Sequence, residues 1–181
     1  SDALVVDHLH RLGVAAEVSR TSRGHQRIRY SLPSAPPLIS IIVPTRDMLD
    51  HLQPCIESVL AKSSYPNFEL LIVDNQSVEP QTLSYFESLA DQPRVRVIVY
   101  DQPFNYSAIN NFAVEQAQGE VICLLNNDTE VITADWMEEM LGHLLQADVG
   151  CVGAKLFFAD GRVQHAGDTV GPGGCADHLH S

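Results

Sequence analysis

The chain has 181 residues, 45% of them hydrophobic, enough for one good core and a small appendage. Lys and Arg number 11 against 23 Asp and Glu, and the resulting net charge of -12 repels polyanions and argues against a nucleic acid partner. No apolar stretch approaches the roughly 20 residues of a membrane helix, and the opening SDALVVDHLH has neither the basic start nor the long apolar run of a signal peptide.

The first segment places Leu4, Val5, His8, Leu9 and Leu12 on one face of a predicted helix, with Gly13 suited to stop it. VAAEV and QRIRYSL follow as short strands, and PSAPP at Pro33 to Pro37 reads as a stiff, extended linker. Residues 1–37 are therefore expected to form a small α/β leader, and residues 38–181 the main domain. From Leu38 the rhythm changes. LISIIVP is a β-branched run of the kind found in strands covered on both faces. A helix carrying Leu49, Leu52, Ile56, Val59 and Leu60 comes next, then the strand FELLIVD, a helix in PQTLSYFESLA and the strand VRVIVYD. A helix over about Ser107 to Gln118 reads as core-facing through Ile109, Phe112 and Val114. The strand EVICLLN, the helix ADWMEEMLGHLL and the strand VGCVGAKLFF complete the series, with a tight hairpin at Asp160-Gly161. Alternating strands and helices predict an α/β fold, a mostly parallel sheet with helices on both faces.

Ligands of such sheets bind outside the carboxyl ends of the strands. Polar residues gather at four of these ends: Pro44-Thr45-Arg46-Asp47, Asp74-Asn75-Gln76-Ser77, Asp101 to Asn105, and Asn126-Asn127-Asp128. Helix capping accounts for any one of them, Ser77, Asp101 and Asp47 above all, but less readily for four together. No GxGxxG follows the first strand and no GxxxxGK[ST] occurs, which leaves neither a dinucleotide fingerprint nor a P-loop. GPGG at Gly171 to Gly174 reads as a flexible loop. A diphosphate bound here would need positive charge from elsewhere, and Mg²⁺ or Mn²⁺ anchored on Asp128 would supply it. Cys55, Cys123, Cys151 and Cys175 have no metal-type spacing and are expected to be free thiols.

ISIIVPTRD, LLIVDNQS, FNYSAINNFAVEQAQGEVICLLNNDTEV and GAKLFFADGRVQHAG, in that order, resemble the family 2 glycosyltransferases of GT-A fold, in particular the bacterial branch that builds O-antigen and other surface polysaccharides, the rhamnosyltransferase-like enzymes. The resemblance implies an inverting transferase that uses a nucleotide-diphosphate sugar, a divalent metal, and a glycan or lipid-linked acceptor. Carried over by position, it implies that Pro44, Thr45 and Arg46 line the nucleotide pocket, that Asp74 accepts from a pyrimidine ring N–H with Asn75 beside it, and that Asn110 contacts the donor. Asn126-Asn127-Asp128 falls on the family's DxD-type metal motif, where Asn126 replaces the first acid and Asp128 stays as the metal ligand. His165, just after the hairpin, is a candidate second metal ligand through its imidazole. The two DHLH stretches, at Asp7 to His10 and Asp177 to His180, are weaker metal candidates.

A uridine or thymidine diphosphate donor suits the Asp74 contact better than a purine. The resemblance places the catalytic base in an acidic segment past the hairpin region. No stretch before Ser181 matches that segment, so the sequence is expected to be a donor-binding half. The expected setting is the cytoplasm, in solution or peripheral at the inner face of the membrane. A sugar nucleotidyltransferase and a non-catalytic nucleotide- or sugar-binding module are the alternatives; an NAD-dependent oxidoreductase lacks its glycine fingerprint.

Overall fold

The computed structural model of the protein describes residues 2–170 and 176–178. These divide into two compact units, one of residues 34–135 and one that joins the residues up to Pro33 to those from Trp136 on.

The unit of residues 34–135 holds β3 (Ile39–Thr45), α2 (Leu49–Lys62), β4 (Phe68–Asp74), α3 (Pro80–Ser88), β5 (Val95–Val99), α4 (Tyr106–Gln116) and β6 (Val121–Leu124). Its four strands form one sheet in the order β5-β4-β3-β6, and every pair is parallel. β3 and β4 are central, with Ile41, Ile42, Val43 and Leu70 to Val73 all at 0% exposure, which is why their sequence is a continuous apolar run and not an alternation. Ile109 and Ala113 of α4 pack with Ile42, Leu71 and Val73 on one face. Leu52, Cys55, Ile56 and Val59 make the buried stripe of α2. Val114 of α4 is exposed, contrary to the expectation that it faces the core; it falls off the Ile109–Ala113 stripe.

At the amino end of this sheet, Ser40 and Gln118 both donate to the buried Glu69 carboxylate, at 2.6 Å each, and Arg96 pairs with its other oxygen at 3.2 Å. Gly119 N–H donates to Ser40 Oγ at 2.8 Å, which ties the turn after α4 to the central strand.

The other unit begins with α1 (Asp2–Arg11) and the antiparallel pair β1 (Ala16–Arg20) and β2 (Gln26–Tyr30). Gly13, at φ 69°, ends α1 as expected. Only Leu9 of the predicted apolar face is buried, while Leu4 and Leu12 are exposed, because a two-stranded hairpin is too narrow to cover a whole helix stripe. α5 (Trp136–Leu144) lies against β2. Glu139 pairs with Arg27 and Arg29, and Gly142 leaves room for Tyr30, whose Cβ would be 3.2 Å from a side chain placed there.

A strand was expected over VGCVGAKLFF, but only β7 (Leu156–Phe157) forms, paired with β8 (Val163–His165). Gly150 and Gly153 give the preceding stretch little to pack. The hairpin itself turns at Asp160-Gly161 as predicted, with Gly161 at φ 83° and the Asp160 carboxyl held below its ordinary range by the Arg162 backbone N–H and guanidinium. β9 (Asp168–Val170) and β10 (Ala176–His178) pair antiparallel. The GPGG stretch, Cys175, His180 and so the full second DHLH lie outside the described residues. Among the described residues no helix is long and apolar enough to cross a membrane.

Candidate functional site

Strand order reverses between β3 and β6, since β4 and β5 add on one side of β3 and β6 on the other. Such a switch point leaves a crevice beyond the carboxyl ends, because the flanking connections run to opposite faces of the sheet. A cleft of about 280 Å³ sits there, near the small end of the ~300–1,000 Å³ range of ligand pockets.

Its lining joins three polar strand ends: Pro44, Thr45 and Arg46 from β3, Asn75 from β4, and Asn126, Asn127 and Asp128 from β6. Phe104, Tyr106 and Ile109, at the start of α4, form an apolar wall. Seven of the nine nucleotide-site residues expected from the sequence therefore meet in one cleft. The other two, Asp74 and Asn110, are buried beside it and outside its lining.

Several of these side chains are committed to holding the loops. Asn75, 2% exposed, donates to the Tyr100 and Gln102 carbonyls at 3.0 and 2.8 Å. Asp74 accepts from Ser77 N–H at 2.9 Å. Asn127 donates to Thr45 Oγ1 at 3.0 Å, bridging the β6 and β3 ends, and the Asn126 carbonyl accepts from the Thr129 hydroxyl at 2.8 Å. Below the loop, the buried Cys55 thiol approaches the same carbonyl at 3.5 Å, and burial pushes this thiol above its ordinary range. Asn110 Nδ2 donates to the Tyr106 carbonyl at 2.8 Å, while its Oδ1 is buried without a partner.

Two charges are left in the lining. The Arg46 guanidinium and the Asp128 carboxylate are both exposed, each the sole charge of its sign in the cleft among the described residues. Among the described residues no three His, Cys, Asp or Glu side chains converge on a metal. One hard carboxylate fits Mg²⁺ or Mn²⁺ only in the mode where phosphate oxygens and water complete the shell. His165, partly exposed at the end of β8, belongs to the other unit.

Asp47, for which capping is the ready account in the sequence, does cap a helix, and it is α3, which is remote in sequence. Its Oδ1 accepts from the Val78 and Glu79 backbone N–H groups, both at 2.8 Å, and its own N–H donates to Ser77 Oγ at 2.8 Å. Phe104 and Tyr106 were missed as lining; two aromatics on either side of Asn105, the N-cap of α4, were the signal available.

The model of glycosyl transferase family 2 matches residues 40–169. The O-antigen biosynthesis protein RfbC of Myxococcus xanthus is 44% identical over 172 residues, which are 95% of this chain and 13% of that protein. An uncharacterised protein of Sinorhizobium fredii, y4gI, is 52% identical over 145 residues, 80% of this chain and 16% of that protein. The chain thus spans less than a fifth of either relative. Among solved structures, a mannosyltransferase of Pyrobaculum calidifontis, in complex with GDP-Man and Mn²⁺, superposes with a TM-score of 0.58 at 18% identity over 82% of this chain and 41% of its own, a likeness of fold.

Proposed function

The chain belongs to glycosyl transferase family 2, and on that premise we propose that its cleft binds the nucleotide diphosphate of a sugar donor for cell-surface polysaccharide synthesis. The fold is the GT-A fold expected from the sequence. The observation that carries the reading is the meeting of Arg46, Asn75 and Asn126-Asn127-Asp128 at the switch point of the sheet. The similarity to RfbC, which covers nearly the whole chain, supports the placement in polysaccharide synthesis.

In this reading the apolar wall of Phe104 and Tyr106 takes a ring face, and Asp74 at the end of β4 accepts from the ring N–H of uridine or thymidine. Arg46 faces the diphosphate, whose charge grows as the anomeric C–O bond breaks. Asp128 would hold Mg²⁺ or Mn²⁺, which would supply charge to neutralise the leaving diphosphate. Asn127, fixed by Thr45, keeps the Asp128 loop at the mouth of the cleft. Transfer to a glycan or lipid-linked acceptor would proceed with inversion, the acceptor hydroxyl's proton passing to a carboxylate base that is not among the residues of this cleft.

The test is calorimetric titration with uridine, thymidine and guanosine diphosphates, with and without Mn²⁺, on the native chain and Asp128→Ala. Metal-dependent binding of one pyrimidine diphosphate that the variant loses is expected. Equal binding by the variant would remove Asp128 from the metal site, and binding of none of the three would overturn the donor reading.

A further inference from the structure

Three non-glycine residues have positive φ among the described residues, and all lie in the two loops beside the cleft: Asp47 at 53° and Met48 at 58° after β3, and Gln76 at 64° after β4. Left-handed backbone costs L-residues energy, so it persists only where surrounding contacts determine it. Met48 cannot supply such a contact, for it starts α2 without any side-chain cap and is exposed. Asp47 can. Its N–H is held by Ser77, its carbonyl accepts from Thr45 Oγ1 at 3.4 Å, and its carboxylate takes two N–H groups at the start of α3.

α3 is capped by that carboxylate and not by a side chain of its own. Its own N-cap residue, Glu79, makes no side-chain cap bond, and its first turn contains no acid. An anion at the positive end of the helix is stabilised by the helix dipole, so α3 and the β3 loop hold each other. The chain of bonds continues from Ser77 N–H to Asp74 Oδ1, and from Asn75 N–H to the Thr45 carbonyl at 2.8 Å. Asp47 thereby joins the two strand ends that carry Arg46 and Asp74, one residue away from the single cation of the cleft.

We propose that Asp47 is a positioning residue for donor binding: its carboxylate, anchored on the amino end of α3, fixes the left-handed turn that aims Arg46 into the cleft. This rests on the donor-site reading above and assigns the work of aiming to a residue that does not line the cleft. Asparagine at this position keeps the Oδ1 acceptor and tolerates left-handed backbone, whereas alanine does neither.

The experiment is a double-mutant cycle read by calorimetric binding of uridine or thymidine diphosphate with Mn²⁺, at a temperature where melting curves show every variant folded. Asp47→Ala is expected to weaken binding about tenfold, Asp47→Asn to stay within about threefold of the native chain, and Asp47→Ala added to Arg46→Ala to cost nothing further. Gly119→Ala, a destabilising change at the other end of the sheet, is expected to lower the melting temperature and leave binding alone, which separates positioning from general loss of stability. Native-like binding by Asp47→Ala, or additive losses in the cycle, would overturn the role of Asp47 while the donor site stands. Absence of nucleotide binding by the native chain would overturn the donor reading itself, and this inference with it.

Discussion

Gly119 tests whether the amino end of the sheet is as tightly built as its contacts imply. A Cβ there would lie 2.6 Å from the Leu38 carbonyl oxygen, 2.7 Å from Ser40 N and 2.7 Å from Ser40 Oγ. Two of these atoms are backbone, leading into the central strand and within it, so they cannot swing aside as a side-chain tip would. Overpacking of this kind costs about 1–3 kcal/mol. Pushing Ser40 away also disturbs its bond to Glu69, and bonds to charged groups contribute about 1.5–3 kcal/mol. Alanine gains back only ~0.4–1 kcal/mol by restricting the unfolded chain. Gly119→Ala is therefore expected to destabilise by roughly 2–5 kcal/mol and to lower the melting temperature by about 10 °C, at ~2–4 °C per kcal/mol for a chain of this size. Calorimetric or circular dichroism melts would measure it. Gly150→Ala is the control, since a Cβ there meets nothing within 4 Å. A Gly119→Ala melt within 2 °C or so of the Gly150→Ala melt would refute the reasoning.

Arg46→Ala should weaken nucleotide diphosphate binding at least about tenfold and flatten its salt dependence, because it removes the one cation that lines the cleft among the described residues; an unchanged salt slope in calorimetry would refute its contact with phosphate. Stability should fall at alkaline pH. Burial pushes the Cys123 thiol up from 9.0 to about 11, so between these values the unfolded chain has released a proton that the folded chain still holds, and unfolding gains as pH rises. Urea melts from pH 8 to 11 on the native chain and Cys123→Ala would measure it, and an identical decline in both would show that Cys123 is not responsible.

The central strands were legible because their pattern has one physical cause. FELLIVD is β4 from its first residue to its last, and β3 extends over ISIIVPT, since a strand buried on both faces takes apolar residues on either side and admits Ser40 and Glu69 only as a bonded pair at the amino end. VGCVGAKLFF carried the same apolar signal with a different outcome, for among the described residues only Leu156 and Phe157 find a partner strand, and hydropathy does not report pairing. α1 failed in a related way. Its period was right, but periodicity states which residues share a face and not how much surface is available to cover it.

The four polar strand ends separate, in three dimensions, into two kinds of residue that look alike in sequence. Arg46 and Asp128 present exposed charges to the cleft. Asp47 and Asn105 instead direct their side chains to backbone N–H groups, Asp74 accepts from one such group with its Oδ1 alone, and Asn75 spends its amide on two carbonyls even though it lines the cleft. Capping and ligand binding draw on the same side chains, Asp and Asn, because both tasks need short acceptors at the end of a strand. The partners that decide between them are far off in sequence: Asp47 bonds residues 31 and 32 positions away, and Asn75 reaches 25 and 27. No local motif carries that information. The first kind of residue sits beside the second, since Arg46 immediately precedes the left-handed pair Asp47-Met48, whose path is set by the bonds Asp47 makes to Ser77, Val78 and Glu79.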